Sequence, residues 1–273
     1  MHRPDPHPRE QVHRLFELVE PIATASFSDT VTAAFREVGL RDYWDGYFAG
    51  RAAPLGEAPP EVVHAVFYNF APGEVARHLP WVWSRTTPEE ALAVRERASA
   101  ETLRGRLGRR ADGPALGRAA DLATRAATSA PTEGRALYAG LRRLAVPEEP
   151  VARLWHAATL LREYRGDSHH AVLLAHGIDG SEAHVMLALS WDMAAEDFDR
   201  LHHLPRPYVA AVVDGLRTRG LVDDDGRFTE AGRELSRRLE ATTDALAARA
   251  YEVLSPAELD ELVVALEALV PDA

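Results

Sequence analysis

Apolar positions recur along most of this chain at the spacing of an α-helix. The first such segment, residues 12–27, is apolar at Val12, Leu15, Phe16, Val19 and Ile22. This spacing places apolar side chains on one helical face. Two other segments, Thr87 to Glu90 and Ser255 to Glu258, have a cap residue followed by proline and then glutamate, which is typical of a helix start. The pattern predicts a mainly α fold.

A helix, a tight turn and a second helix are predicted between residues 204 and 235. The first helix is apolar at Val209, Val212, Val213 and Leu216, which share one face. Gly220 supplies a left-handed helix stop, and the Asp225-Gly226 pair is typical of a β-hairpin turn. Thr229 can cap the next helix. The hairpin would form a small wing beside the first helix.

These residues resemble the MarR-type winged helix-turn-helix regulators. The matching phrases are Val213 to Val222, VDGLRTRGLV, and Phe228 to Leu235, FTEAGREL. The resemblance covers residues from about 180 to 270 and implies a DNA-binding winged helix. The segments Tyr47 to Gly56, Phe67 to Phe70 and Arg162 to His169 are similar to a group of actinobacterial proteins that are labelled helix-turn-helix.

Composition favours a folded protein without disulfides. The 273 residues are 46% hydrophobic, which is enough for one large or two medium cores. No cysteine is present, which excludes disulfides, thiolate zinc sites and cysteine nucleophiles. The sequence has no run of about 20 apolar residues and no apolar leader core after Met1. We therefore expect a soluble cytoplasmic protein.

The proline- and glutamate-rich segment Arg142 to Pro150 predicts a domain boundary. Residues 1–146 would form a helical N-terminal domain with a candidate ligand pocket. Residues 147–273 would form a helical connector and a MarR-like winged-helix domain that ends in C-terminal helices.

Charge constrains the DNA-binding interpretation, since contacts to phosphate supply much of the affinity of such proteins. The net charge is -11, and residues 200–249 hold nine arginines against eight carboxylates. The centre of the predicted recognition helix lacks a side chain that reads bases, and Asp223 to Asp225 open the wing. An alternative therefore stays open, in which the winged helix is a packing or dimerisation module that does not read DNA. The candidate DNA contacts are Arg206, Tyr208, Arg217, Arg219 and Arg227.

The segment Arg162 to His170 has two interpretations. Arg162 and Arg165 lie on one helical face and could clamp a carboxylate or a phosphate, with His169 nearby as an acid or base. Alternatively, Gly166 stops one helix and Asp167 caps the next, so that the segment is only a charged corner.

Aromatic residues are concentrated between Tyr43 and Trp83, where they would form either an ordinary core or a pocket for a small organic ligand. The candidate ligand-binding residues come from this aromatic region and from the segment Arg162 to His170. They are Tyr47, Arg51, Tyr68, Asn69, Arg162, Arg165 and His169.

No cofactor, metal site or catalytic residue is predicted. The sequence lacks a Gly-rich phosphate loop, a dinucleotide fingerprint and a serine nucleophile elbow. The spacing of His169, His170, His176 and His184 matches no standard zinc or iron site. The sequence favours a non-enzymatic protein but leaves an enzyme open.

We therefore expect a MarR-like, ligand-responsive transcriptional regulator that binds double-stranded DNA as a homodimer. Leu235, Leu239, Leu246 and Leu254 would help to form the dimer, and a small organic ligand would shift the population between two dimer geometries. The alternative is a small-molecule-binding protein or an enzyme that uses an interdomain cleft and retains the winged helix as a structural module. An interaction or scaffold protein, the third possibility, would bind neither DNA nor ligand.

Overall fold

The computed structural model describes residues 8–198, 201 and 203–270. The first seven residues, on which the expectation about a leader partly rests, lie outside this set. The regular elements of the described residues are helices, so the prediction of a mainly α fold is confirmed. In chain order the α-helices are α1 (Arg9–Ala23), α2 (Asp29–Glu37), α3 (Tyr43–Ala52), α4 (Pro60–Phe67), α5 (Leu79–Val82), α6 (Pro88–Leu107), α7 (Pro114–Ser129), α8 (Ala136–Arg142), α9 (Pro150–Ala175), α10 (Gly180–Ser190), α11 (Arg206–Thr218), α12 (Glu230–Ala247) and α13 (Pro256–Leu269).

The chain divides into two compact units. Unit 1 holds the residues up to Val66, Val75–Ser168 and the residues from Asp244 onward. Unit 2 holds Phe67–Glu74 and His169–Thr243. The boundary predicted between residues 146 and 147 falls inside unit 1, and the two-domain division from the sequence stays a prediction.

Both capped helix starts are confirmed. At α6, Thr87 Oγ1 accepts a hydrogen bond from the Glu90 backbone N–H at 3.2 Å. At α13, Ser255 and Glu258 form a reciprocal capping box. Each arrangement satisfies backbone donors that have no partner inside the helix, which fixes where the helix begins.

The core of unit 1 is built from α2, α3 and α6, and α7 packs against α13. Phe35 of α2 is almost completely buried against apolar residues of all three helices. Ala91 and Ala98 give α6 a face of small side chains, which lets its neighbours approach closely. An arginine, Arg95, lies in this same helix and is also buried.

Helix α9 is continuous through Gly166, so the interpretation of the segment Arg162 to His170 as a corner between two helices is wrong. A glycine inside a helix costs about 1 kcal/mol relative to alanine. The buried side chains of Glu163, Tyr164 and Arg165 surround this position, and their packing outweighs the local preference. Asp167 therefore does not cap a following helix. Its carboxylate instead accepts a hydrogen bond from the Tyr138 backbone N–H at 3.0 Å, in the first turn of α8.

The second half of unit 2 follows the predicted order of helix, turn and helix. Gly220 has a φ of 72° after α11, as predicted for a left-handed stop. Thr229 Oγ1 accepts a hydrogen bond from the Gly232 backbone N–H at 3.1 Å, which caps α12. Both predictions are confirmed.

The predicted β-hairpin wing is wrong, because the described residues contain no strand. A turn does form, but it carries only an isolated antiparallel bridge between Val222 and Phe228. Next to this bridge, the Asp223 N–H donates to the Arg227 carbonyl oxygen at 2.8 Å. Because α11 ends at Thr218 and α12 begins at Glu230, too few residues remain on either side of the turn for paired strands.

None of the described helices combines the length and the apolar character that a membrane crossing requires.

Candidate functional site

Unit 2 contains an open groove of about 1400 Å³ along α11. Arg206, Val209 and Val213 line it from α11. Residues 224–228 of the turn and the first half of α12 contribute further walls, as do side chains between residues 189 and 204. The groove is therefore formed by the helix and the turn that the sequence singled out as the helix-turn-helix region.

The groove is lined by charges of both signs, and most of its arginines are paired. Arg217 forms ion pairs with Asp214 and, at 3.8 Å, with Asp224. Arg237 pairs with Glu234 at 2.8 Å. The groove-lining arginines are Arg206, Arg217, Arg227, Arg233 and Arg237, and the lining carboxylates are Asp192, Glu196, Asp197, Asp214, Asp224 and Asp225.

Arg206 and Arg227 are both exposed, and among the described residues neither side chain has a carboxylate partner. Arg206 lies at the first position of α11, and Arg227 lies in the turn. An unpaired guanidinium can bind a phosphate without first breaking an ion pair. These two side chains are therefore the best candidates in the groove for contact with an anionic polymer.

Of the other predicted DNA contacts, Arg217 lines the groove in ion pairs, whereas Tyr208 and Arg219 lie outside it. The Tyr208 hydroxyl shares a hydrogen bond with Ser181 Oγ at 2.8 Å, which ties α11 to α10. Arg219 forms an ion pair with Glu182 at 2.9 Å and also donates to the Gly177 carbonyl oxygen. Neither Tyr208 nor Arg219 lines the groove.

Three of the predicted ligand-binding residues meet in the interior of unit 1. Arg51 is buried and binds Glu163 through two hydrogen bonds, of 3.2 Å from Nε and 2.9 Å from Nη2. Arg51 Nη1 also donates to the Tyr47 hydroxyl at 3.2 Å. Arg162 donates to Glu163 at 3.1 Å and to Glu20 at 2.9 Å. We call these five residues the Glu163 cluster.

The charge of Glu163 is held by its arginine partners. Burial alone would favour the neutral carboxyl, but Arg51 and Arg162 lower the pKa of Glu163 to about 2. Burial would likewise favour a neutral guanidine, but Glu163 raises the pKa of Arg51 above its ordinary value. Because Arg51, Arg162 and Glu163 satisfy one another, the Glu163 cluster stabilises the interior rather than offering an empty anion site.

Arg165 belongs to a separate contact in unit 1. Its Nη2 donates to Asp244 Oδ1 at 2.9 Å, and its guanidinium lies over the Phe16 ring at 3.9 Å. His13 Nδ1 also lies 3.0 Å from the other oxygen of Asp244. This contact joins α9 to α12 and α1.

The remaining predicted ligand-binding residues lie in unit 2. The Tyr68 ring stacks on His170 at 5.2 Å, and its hydroxyl donates to the Ile178 carbonyl oxygen at 2.5 Å. Asn69 Oδ1 is buried without a hydrogen-bond partner among the described residues. His169 Nδ1 lies 3.0 Å from Thr243 Oγ1.

Asp167 gives unit 1 a titratable group near neutral pH. Burial raises the pKa of Asp167 to about 7, although the Tyr138 N–H opposes the shift and Glu163 adds to it. Since the pKa is higher in the folded state, the stabilisation is complete below the ordinary pKa of an aspartate and is lost as the pH rises through 7. The loss is at most about 4 kcal/mol.

We expect Asp167→Asn to remove this pH dependence, because the amide cannot ionise and its oxygen can still accept the Tyr138 hydrogen bond. Urea unfolding at pH 5 and pH 8 measures the effect. The variant should gain more stability relative to the wild type at pH 8 than at pH 5, because the wild-type loss grows between the two pKa values of Asp167. Asp112→Asn, at an exposed position, is the control. Parallel pH profiles for the wild type and Asp167→Asn would contradict the assignment.

One group of metal-type donors lies in unit 1. Atoms of Asp42, Asp45 and His78 lie within 4.8 Å of one another. Arg41 already binds both oxygens of Asp45, at 2.7 and 2.9 Å, and His78 Nδ1 lies 2.7 Å from Asp45 Oδ1. The negative charge of the buried Asp45 carboxylate is therefore balanced by the Arg41 guanidinium.

Arg95 is not among the site residues predicted from the sequence. It follows Val94 and lies between Ala91 and Ala98, so it is a charged residue among the buried positions of α6. An arginine among the apolar positions of an amphipathic helix is a signal that could have identified it, since arginine is almost never buried without a partner.

Comparison with known protein families gives a match. The model of a family described as a helix-turn-helix family matches residues 12–273 of this chain. No curated protein and no solved structure shows a significant match to the chain.

Proposed function

The chain belongs to this helix-turn-helix family, and on that basis we propose that it is a transcriptional regulator that binds double-stranded DNA. The family match is the observation that carries the proposal. The groove along α11 supports it, because a recognition helix and the turn after it line one concave surface.

In this proposal α11 is the recognition element, and Arg206 and Arg227 contact phosphates. Between Arg206 and Arg217 the groove-lining side chains of α11 are small, apolar or acidic, including Ala210, Val213 and Asp214. Such side chains provide few hydrogen bonds to base edges. We therefore infer that backbone contacts dominate and that the affinity depends steeply on salt.

We further propose that the protein acts as a homodimer whose geometry responds to a small ligand, as the MarR resemblance implies. Of the leucines predicted for the dimer, Leu235, Leu239 and Leu254 are buried within the chain and are poor candidates for its surface, whereas Leu246 is half-buried. Leu187 and Trp191 lie one turn apart at the end of α10, and Trp191 is 61% exposed. Exposed large apolar side chains of this kind are typical of an interface. Binding to the chromosome would place the protein in the cytoplasm.

A second candidate function is the binding or conversion of a small metabolite. The observation that favours it is the buried, unpaired positive charge of Arg95 in unit 1. The buried charge of Arg95 supports the binding part of this candidate.

We expect measurable binding of a mixed-sequence duplex at low salt, with a steep loss as salt increases. Two unpaired arginines per chain in a dimer would give a slope of about -4 in a plot of log K against log salt, at about 0.9 per phosphate contact. Fluorescence anisotropy measures the slope, and the stoichiometry of the titration should be two chains per duplex.

The matched variants are Arg206→Ala, Arg227→Ala and Arg238→Ala. Each of the first two should weaken binding and reduce the slope by about 2 for a dimer, since each chain loses one phosphate contact. Arg238 is an exposed arginine of α12 that does not line the groove, so Arg238→Ala should change little. Absence of binding at low salt would overturn the DNA-binding proposal, and equal effects of all three variants would overturn the groove as its site.

A further inference from the structure

Arg95 is buried in unit 1 without an ion pair to any described residue. It lies on α6, and only 4% of its surface is exposed. Its one hydrogen bond to a described residue runs from Nη1 to the Gly50 carbonyl oxygen at 3.3 Å. A guanidinium has five N–H donors, so most of the hydrogen-bonding capacity of Arg95 is unused.

Glu163 exerts the strongest attraction on Arg95 but does not pair with it. Glu163 hydrogen bonds to Arg51 and Arg162, and it forms no ion pair with Arg95. Burial lowers the pKa of Arg95 to about 10, and the charges of Arg51 and Arg162 add to this effect against the attraction of Glu163. This part of the interior therefore has positive charge that the described residues do not balance.

Unpartnered polar atoms accompany Arg95. Trp155 lies on α9 with its ring centroid 5.4 Å from Arg95 Cζ. Burial and the charge of Arg95 together lower the pKa of the adjacent His156 to about 4, so its imidazole is neutral. On the same two helices, the buried side-chain atoms that lack a hydrogen-bond partner among the described residues include Ser99 Oγ on α6 and Trp155 Nε1, His156 Nε2 and Thr159 Oγ1 on α9.

These residues are grouped by helical spacing. Ser99 follows Arg95 by four residues on α6, and Thr159 follows Trp155 by four residues on α9, so each pair shares one helical face. Buried polar groups in proteins almost always have a hydrogen-bond partner. Several buried groups without one on these two helices therefore indicate a bound ligand that supplies the missing hydrogen bonds.

Donors predominate in this region. The Trp155 indole and the Arg95 guanidinium can only donate, and the two hydroxyl groups can rotate to donate. The matching guest is rich in acceptors and negatively charged. A carboxylate meets both conditions, because its two oxygens fit the fork of a guanidinium and its single charge balances that of Arg95.

We propose that the interior of unit 1 between α6 and α9 binds a small monocarboxylate with Arg95 as its charged anchor. Trp155 Nε1 and the hydroxyl groups of Ser99 and Thr159 donate the further hydrogen bonds. This inference rests on the ligand-binding part of the proposed function and supplies its site and ligand class. It does not depend on DNA binding, so it can succeed or fail separately.

The test uses the full-length protein without DNA, and sodium formate and sodium acetate as probes. We expect saturable changes in the indole N–H resonance of Trp155, assigned by its absence in Trp155→Phe. Sodium chloride at matched ionic strength and neutral acetamide should not reproduce the changes. Arg95→Met should weaken acetate binding at least tenfold, whereas Arg97→Met, at an exposed position on the same helix, should leave it unchanged.

The stability of the variant adds a second measurement. An unpaired buried charge destabilises the empty protein, so Arg95→Met should unfold without acetate at a temperature no lower than that of the wild type. Should Arg95→Met fail to fold, Ser99→Ala should weaken acetate binding about fivefold, the value of one hydrogen bond. Absence of a saturable response to either carboxylate, as expected for ordered water alone, would overturn the proposal. An undiminished response in Arg95→Met or, if that variant does not fold, in Ser99→Ala would also overturn it.

Discussion

Glu163→Gln is expected to destabilise the protein by about 3–5 kcal/mol, the cost of leaving buried charges without their partner. Glu163 is 2% exposed and accepts hydrogen bonds from Arg51 and Arg162. Glutamine has nearly the same shape but no charge, so packing is retained while the guanidinium groups of Arg51 and Arg162 lose their common counterion. Urea unfolding at pH 7, followed by circular dichroism, measures the change.

An exposed ion pair provides the matched control. Arg118 and Glu261 lie 2.5 Å apart, but both side chains are more than 40% exposed. Glu261→Gln should therefore change the stability much less than Glu163→Gln, because water screens an exposed pair. In the double variant Glu163→Gln with Arg51→Met, one stranded charge is removed, and part of the lost stability should return. Equal losses for Glu163→Gln and Glu261→Gln would show that the buried charges are solvated in some other way.

Gly232→Ala is expected to destabilise unit 2 by about 3 kcal/mol, at the upper end of the usual cost of overpacking. A Cβ at this position would lie 2.1 Å from the Leu221 carbonyl oxygen and 2.8 Å from Phe228 Cδ1. The carbonyl belongs to the backbone and already accepts the Thr229 N–H, so it cannot move without disturbing the turn. The start of α12 must move instead, and the groove along α11 changes with it. Thermal unfolding and duplex binding measure both consequences.

Gly215→Ala is the control, because a Cβ there would meet nothing within 4 Å. It lies in α11, where alanine is favoured over glycine by about 1 kcal/mol. This variant should be slightly more stable than the wild type. A similar loss of stability in Gly215→Ala and Gly232→Ala would mean that the close approach to Leu221 does not limit the position of α12.

The family match covers much more of the chain than the groove along α11 does. The match covers residues 12–273, nearly all of the chain, so the helices of unit 1 belong to the family as much as α11 does. Under the proposed function, so large a helical part leaves room for a ligand site in unit 1. The buried charge of Arg95 gives that part a specific and testable role.

Local sequence was enough to predict α11 and the ends of the helices around it. The apolar spacing from Val209 to Leu216, the left-handed Gly220 and the Thr229 cap each act through neighbours within a few residues. Such interactions depend little on the rest of the fold, which explains why they could be predicted. The Ser255 cap of α13 was predictable for the same reason.

Tertiary packing decided the features that the sequence left open or predicted wrongly. Gly166 did not end a helix, because buried neighbours stabilise α9 through it, and Asp167 instead accepts a hydrogen bond from Tyr138, 29 residues away in the chain. Arg51 pairs with Glu163, which lies 112 residues away in the chain. The wing did not form strands, because α11 and α12 leave too little chain between them. The sequence by itself thus determined the local helical signals, whereas only the three-dimensional fold decided which charges are paired and which, like that of Arg95, have no carboxylate partner among the described residues.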